Sequence, residues 1–179
     1  MDRARRLLGI LIVFAVAGAV VLVVVVRPGL RDDAETVDRS WSPLVGPLDA
    51  RYQALGAVIP QLKTSGAGNR AATLGLVALL DRWQVVRTGT DSEDQVRTAN
   101  RIEATAARVG ALIRTARLIK LPALQETFAT FTKSRPNTTV LDHYTRAANT
   151  YESRRDGFWN RIVAGLDGYS MQPTLQLVS

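Results

Sequence analysis

Residues 7–26 form an uninterrupted apolar run, LLGILIVFAVAGAVVLVVVV, which constrains the fold more than any other feature of the chain. At about 1.5 Å of rise per residue, a helix of this length spans the hydrocarbon core of a bilayer, which is roughly 30 Å thick. A helix also satisfies its own backbone hydrogen bonds, as lipid requires. The run therefore predicts an N-terminal transmembrane helix, and the lipid bilayer is the first partner expected of this chain.

A cleaved signal peptide is the alternative interpretation of this run. Ala15, Ala17 and Ala19 are small residues of the kind that precede a cleavage site. Cleavage there would leave the apolar sequence VVLVVVV at the new N-terminus, and the apolar region before it would be short. An uncleaved membrane anchor therefore fits the sequence better.

The charges that flank the run predict its orientation. Arg3, Arg5 and Arg6 precede it, whereas Arg27 and Arg31 follow it and are succeeded by two aspartates. Positive residues are retained on the cytoplasmic side of membranes. We therefore expect a cell-membrane protein with a cytoplasmic N-terminus and with the rest of the chain outside.

Beyond residue 36, apolar residues recur at intervals of three and four, with a period near 3.5 as in coiled coils. No stretch alternates for long with the period of a strand. The sequence therefore predicts an all-α fold, in which an antiparallel bundle of long helices, of the four-helix type, follows the transmembrane helix. The helices are expected at about 37–62, 70–88, 92–119 and 139–167, with a shorter one from Pro122, and the expected core positions include Trp41, Leu74, Val77, Leu80, Trp83, Tyr144, Phe158, Trp159, Ile162 and Leu166.

Prolines and polar residues predict the ends of these helices. Pro43 is expected in a first helical turn, Pro47 at a bend and Pro60 at the exit from the helix. Asn69 is expected to cap the second helix, and Asp91 or Ser92 the third. The expected organisation is a cytoplasmic N-terminus (1–6), the transmembrane helix (7–26), a juxtamembrane linker (27–36), the bundle (37–168) and a tail (169–179).

Composition excludes several classes of chemistry. The chain has no cysteine, which excludes disulfides, thiolate metal sites and a cysteine nucleophile. His143 is its only histidine, so a zinc site or a catalytic triad would depend on that one residue, and a solvated or capping role is the better interpretation. The net charge of +7 is scattered among acids, and no nucleic-acid motif accompanies it. We expect no nucleic-acid partner, no metal and no cofactor.

Arginines recur along the third predicted helix, at positions that include Arg97, Arg101, Arg108 and Arg114. If they share one face, they could bind anionic lipid or an acidic partner. A solvated helix face paired with nearby acids is the interpretation that we favour.

Three blocks of sequence resemble the LemA family of bacterial membrane proteins. They are VDRSWSPLVGPLDARYQALGAVIPQL at 37–62, RVGALIRTARLIKLPALQETFATF at 108–131 and RAANTYESRRDGFWNRIVAGLDGYSMQP at 146–173. This chain departs from the family pattern at the positions where the family has its "YN" and "AYP" motifs. The matching family-motif residues, which are structural in character, are Val37, Trp41, Leu48, Arg51, Ile59, Pro60, Leu62, Arg108, Leu124, Gln125, Arg146, Tyr151 and Asn160.

The resemblance implies a membrane helix followed by a helical bundle, and it implies no enzymatic reaction. We therefore expect a single-pass membrane protein without catalytic activity that works in protein–protein interaction or scaffolding at the cell envelope. Its partner would be another envelope protein, and self-association into a homo-oligomer stays open. The alternative is a sensor-like ectodomain that binds a ligand and signals through a partner membrane protein.

Overall fold

The computed structural model describes residues 17–18, 27–115, 118, 120–167 and 169–178. The predicted membrane helix, except for Ala17 and Gly18, and the cytoplasmic N-terminus lie outside these residues. Within the described ranges, no helix combines the length and the apolar character needed to cross a bilayer. The membrane anchor and its orientation therefore stay predictions.

The fold is all-α, as predicted, and the described residues contain no strand. The helices are α1 (Arg27–Gly56), α2 (Val58–Thr64), α3 (Ala71–Val86), α4 (Ser92–Ile113), α5 (Pro122–Lys133), α6 (Thr138–Arg155) and α7 (Phe158–Asp167).

Helix α1 differs from the prediction in its extent. Residues 27–36, for which the sequence predicts a linker, are helical, and Pro43 and Pro47 lie in the helix interior. A first-turn position for Pro43 is therefore wrong. An interior proline costs about 3 kcal/mol, whereas each fully buried large apolar side chain contributes roughly 1.5–3 kcal/mol. Leu44 and Leu48, which both lie within one helical turn of Pro47, are fully buried, so their burial offsets that cost.

Pro60 marks a start rather than an exit. Helix α1 ends at Gly56, and Pro60 lies in the first turn of α2. Proline has no N–H to bond the carbonyl of Gly56 four residues earlier, so the helix is interrupted between them. The interruption also changes the buried face, because Val58 is fully buried while the predicted Ile59 is only half-buried.

The buried face of α3 was predicted wrongly. Leu74 is 55% exposed, and Val77 and Leu80 are half-buried, whereas Trp83 is buried as expected. The buried residues of this helix are Thr73, Leu76, Leu79, Trp83 and Val86. Its sequence, AATLGLVALLDRWQVV, is apolar on almost every side, so periodicity alone selects no face. The Asn69 cap was also wrong, because the N-cap is Arg70 and it makes no side-chain capping bond.

The later helix ends agree with the sequence in part. The Asp91 carboxylate accepts the N–H of Asp94 and caps α4, as predicted, and Pro122 opens α5. Helix α4 ends at Ile113 rather than near residue 119.

The predicted last helix is in fact two, α6 and α7. Between them, a Cβ at Gly157 would lie 3.2 Å from the carbonyl oxygen of Arg154. Glycine permits this close approach. Ile162, predicted to face the core, is 38% exposed, whereas Val163 and Ala164 are buried. The side chains of Phe158, Trp159 and Leu166 lie outside the described part of the chain.

The described residues divide into two compact units, one within 1–37 and 147–172 and the other within 38–146 and 173–179. In the first, Arg154 pairs with Asp33 at 2.9 Å, and the Tyr151 hydroxyl donates to the Ser170 carbonyl at 2.9 Å. In the second, α3 and α4 pack together, and α5 contacts α2 and α4. The C-terminal residues 173–178 pack in this second unit without helical structure.

Candidate functional site

Arg51 is fully buried in the second unit, where the family resemblance predicts only a structural role for it. Its Nε donates to Glu103 Oε1 at 2.8 Å, and its Nη2 donates to Glu103 Oε2 at 2.9 Å. Glu103 is 1% exposed. The two side chains therefore form a bidentate ion pair that joins α1 to α4 away from water.

The remaining donors of Arg51 go to backbone carbonyls. Nη1 donates to Phe131 O at 2.7 Å and to Ser134 O at 2.8 Å, and Nη2 donates to Val178 O at 3.3 Å. A guanidinium has five N–H donors, so all of them meet an acceptor within the protein. Its central carbon also lies 3.9 Å from the centroid of the Phe131 ring, a cation–π contact.

The ion pair also holds the C-terminal tail. Glu103 Oε2 accepts the N–H of Val178 at 3.0 Å, so Arg51 and Glu103 together bind both backbone groups of that residue. Burial raises the pKa of the neighbouring Tyr52, and the negative charge of Glu103 adds to this effect while Arg51 opposes it. The Tyr52 phenol therefore stays protonated beside the carboxylate.

Two further side chains bind the tail upstream of Val178. The Tyr144 hydroxyl donates to Pro173 O at 2.6 Å. The Asn100 amide donates to Thr174 O and accepts from the N–H of Gln176, both at 2.8 Å. We call the set of tail-binding side chains Arg51, Asn100, Glu103 and Tyr144 the tail groove. A non-helical peptide segment thus lies on the bundle and is held there through its backbone.

A second buried network joins α1 to the turn between α3 and α4. Trp41 Nε1 donates to Gln95 Oε1 at 2.5 Å, and the Gln95 amide donates to Val86 O at 3.0 Å and to Gly89 O at 2.8 Å. The Trp41 ring lies 5.1 Å from that of Tyr144, between centroids. Burial raises the pKa of Tyr144 well above its ordinary value, and the charge of Asp38 adds to the effect.

The exposed residues that the sequence singles out do not assemble into a site with these networks. His143 is exposed, and the described residues offer it no hydrogen bond. Arg97, Arg101 and Arg108 share the exposed face of α4. Arg97 pairs with Glu93, as the favoured interpretation predicts, whereas Arg101 and Arg108 have no ion-pair partner in the described ranges.

The family-motif residues fall into two groups by exposure. Those that are buried are Val37, Trp41, Leu48, Arg51, Leu62, Leu124 and Tyr151. Those that are half-buried or exposed are Ile59, Pro60, Arg108, Gln125, Arg146 and Asn160. Of the whole set, Arg51 alone lies in the tail groove.

Asn100 and Glu103 bind the tail but were not predicted as site residues, although the sequence holds a signal for Glu103. It lies beside Ile102 and one helical turn after Ala99, in the buried stripe of α4. A charged residue in such a stripe requires a buried partner of opposite charge. That the partner is Arg51, 52 residues earlier, follows only from the packing of α1 against α4.

Comparison with known protein families, curated proteins and solved structures gives no match to this chain.

Proposed function

We propose that the chain is a single-pass membrane protein that displays a LemA-like helical bundle at the cell envelope, where it acts through protein–protein interaction and without catalysis. The anchor is residues 7–26, with a cytoplasmic N-terminus and the bundle outside. The length of this apolar run and the arginines before it support the anchor and its orientation. The LemA part of the proposal comes from the sequence motifs.

The observation that carries the interaction role is the binding of the tail. Side chains of the bundle hold residues 173–178 by hydrogen bonds to their backbone, as a receptor holds a peptide. The side chains that hold the tail therefore have the chemistry required to bind a non-helical segment of protein. Arg51 and Glu103 are both engaged in this contact, so their charges serve peptide binding and the fold.

Fractionation and protease shaving test the anchor and its orientation. The full chain, with an epitope tag after Ser179, is expected in the membrane fraction, resistant to carbonate extraction and released by detergent. External protease is expected to remove the tag from spheroplasts. A tag that is protected until the cells are lysed would contradict the orientation, and a chain recovered from the soluble fraction would contradict the anchor.

Proximity labelling tests the interaction role. A labelling enzyme fused after Ser179 is compared with the same enzyme fused directly after residue 36, a control that keeps the predicted anchor and removes the bundle. We expect the full chain to label a set of envelope proteins, or its own copies, that the control does not label. Identical labelling by the two fusions would refute an interaction role for the bundle.

A further inference from the structure

Residues 173–178 are held like a bound peptide rather than like a packed helix. Six hydrogen bonds join side chains of the bundle to the tail backbone, at Pro173 O, Thr174 O, Gln176 N, Val178 N and twice at Val178 O. Each of these groups belongs to the backbone, which every peptide has. The tail groove therefore binds a peptide conformation more than a particular set of side chains.

The Asn100 amide shows how this recognition works. It bonds a carbonyl and an N–H two residues apart, at Thr174 and Gln176, and so imitates the backbone of a neighbouring β-strand. Between them, Leu175 is 8% exposed and supplies an apolar anchor, while the Gln176 side chain is exposed. Sequence preference in the groove should thus come from the leucine and not from the glutamine.

We infer that the tail groove also takes residues 173–178 of a second copy of this chain, so that copies associate by exchanging their tails. The same segment supplies the same contacts in either arrangement, which makes such an exchange a low-cost route to self-association. Concentration and the length of the connection then decide between the two arrangements. The biological use of the exchange rests on the proposed function, because confinement to a membrane would raise the local concentration of copies.

A complementation experiment tests this inference with two full-chain variants in a mild non-ionic detergent. The first variant ends after Gln172, so that it has a groove but no tail. The second carries Asn100→Leu, so that it has a tail but a weakened groove. Each is expected to be monomeric alone, and their mixture is expected to form a one-to-one heterodimer, measured by sedimentation with each variant carrying a different fluorophore.

Two further changes in the second variant separate tail docking from nonspecific association. Leu175→Asp is expected to weaken the heterodimer about tenfold or more, because it removes the apolar anchor. Gln176→Ala is the matched control and should leave the affinity unchanged, because only the backbone N–H of Gln176 is used. Equal affinities for these two variants would overturn the inference.

A synthetic peptide of residues 171–179 keeps the inference testable if the truncated variant folds poorly. The peptide is expected to bind the truncated variant, or to restore its helical circular dichroism during refolding. No binding and no restoration would refute the tail groove as a peptide site. Peptide binding with two monomeric variants in the mixture would refute exchange between copies. These measurements are made in detergent, so a failure of the predicted membrane orientation in cells would leave their outcome unaffected.

Discussion

Replacing Arg51 by methionine is the change that most directly tests how the second unit is held together. The substitution removes the positive charge but keeps much of the volume, so it leaves Glu103 as a buried carboxylate. Breaking a buried ion pair in this way costs about 3–5 kcal/mol. The part-buried Ser134 carbonyl also loses the bond that Arg51 donates, which costs about 1 kcal/mol more. We therefore expect Arg51→Met to lower the free energy of unfolding by about 4 kcal/mol or more.

The double variant Arg51→Met/Glu103→Met provides the decisive comparison. With both charges gone, the remaining cost is that of the backbone groups at Ser134 and Val178 that lose partners. We expect the double variant to be more stable than Arg51→Met, with a coupling free energy between the two sites of about 2 kcal/mol or more. Arg108→Met is the matched control, because Arg108 is exposed on α4, and it should change stability by no more than about 0.5 kcal/mol.

Urea denaturation of the full chain in detergent, followed by far-ultraviolet circular dichroism, measures these free energies. Because the native stability of a domain is about 5–15 kcal/mol, Arg51→Met should lower the urea midpoint strongly or prevent folding altogether. If Arg51→Met folds poorly, Arg51→Lys can be measured instead, because it retains the charge but loses the planar fork of donors. Its free energy of unfolding should lie between those of Arg51→Met and the unsubstituted chain. An Arg51→Met variant as stable as the Arg108 control, or no coupling in the double-mutant cycle, would contradict a stabilising role for the buried ion pair.

The burial of two tyrosines, the buried face of α3 and the backbone conformation of Gly66 can each be tested. The raised pKa of Tyr52 and Tyr144 means that both keep their protons in the folded chain at a pH where the unfolded chain loses them. The free energy of unfolding is therefore retained below about pH 10 and falls above it, by about 1.4 kcal/mol per pH unit for each tyrosine. Urea titrations at alkaline pH should show a shallower loss for Tyr144→Phe than for the unsubstituted chain. Leu76→Ala should destabilise the chain by about 2–5 kcal/mol in the same denaturation assay, whereas Leu74→Ala should change stability by less than about 0.5 kcal/mol, and equal effects would contradict the observed face of α3. Gly66 has a φ of 79°, which a residue with a Cβ adopts only with strain. Gly66→Ala should therefore lower the free energy of unfolding by about 1–2 kcal/mol, and an unchanged denaturation curve would contradict this backbone conformation.

Local physics explains which helix boundaries could be predicted. The Asp91 cap and the proline at the start of α5 depend on residues within one turn, so the sequence alone identifies them. The prolines of α1 show the limit of local rules. Pro43 and Pro47 disfavour a helix locally, yet burial of the apolar stripe around them maintains it.

The all-α class follows from the sequence alone, because apolar residues at intervals of three and four leave no consistent alternative in the described chain. Which face of α3 is buried depends instead on tertiary packing, since a helix that is apolar on most sides can pack in more than one orientation. Tertiary packing likewise brings Arg51, Glu103 and Val178 together, although they are separated by 52 and 75 residues. Contacts of that kind depend on the geometry by which helices pack, and no periodicity in the sequence encodes which distant residues become neighbours.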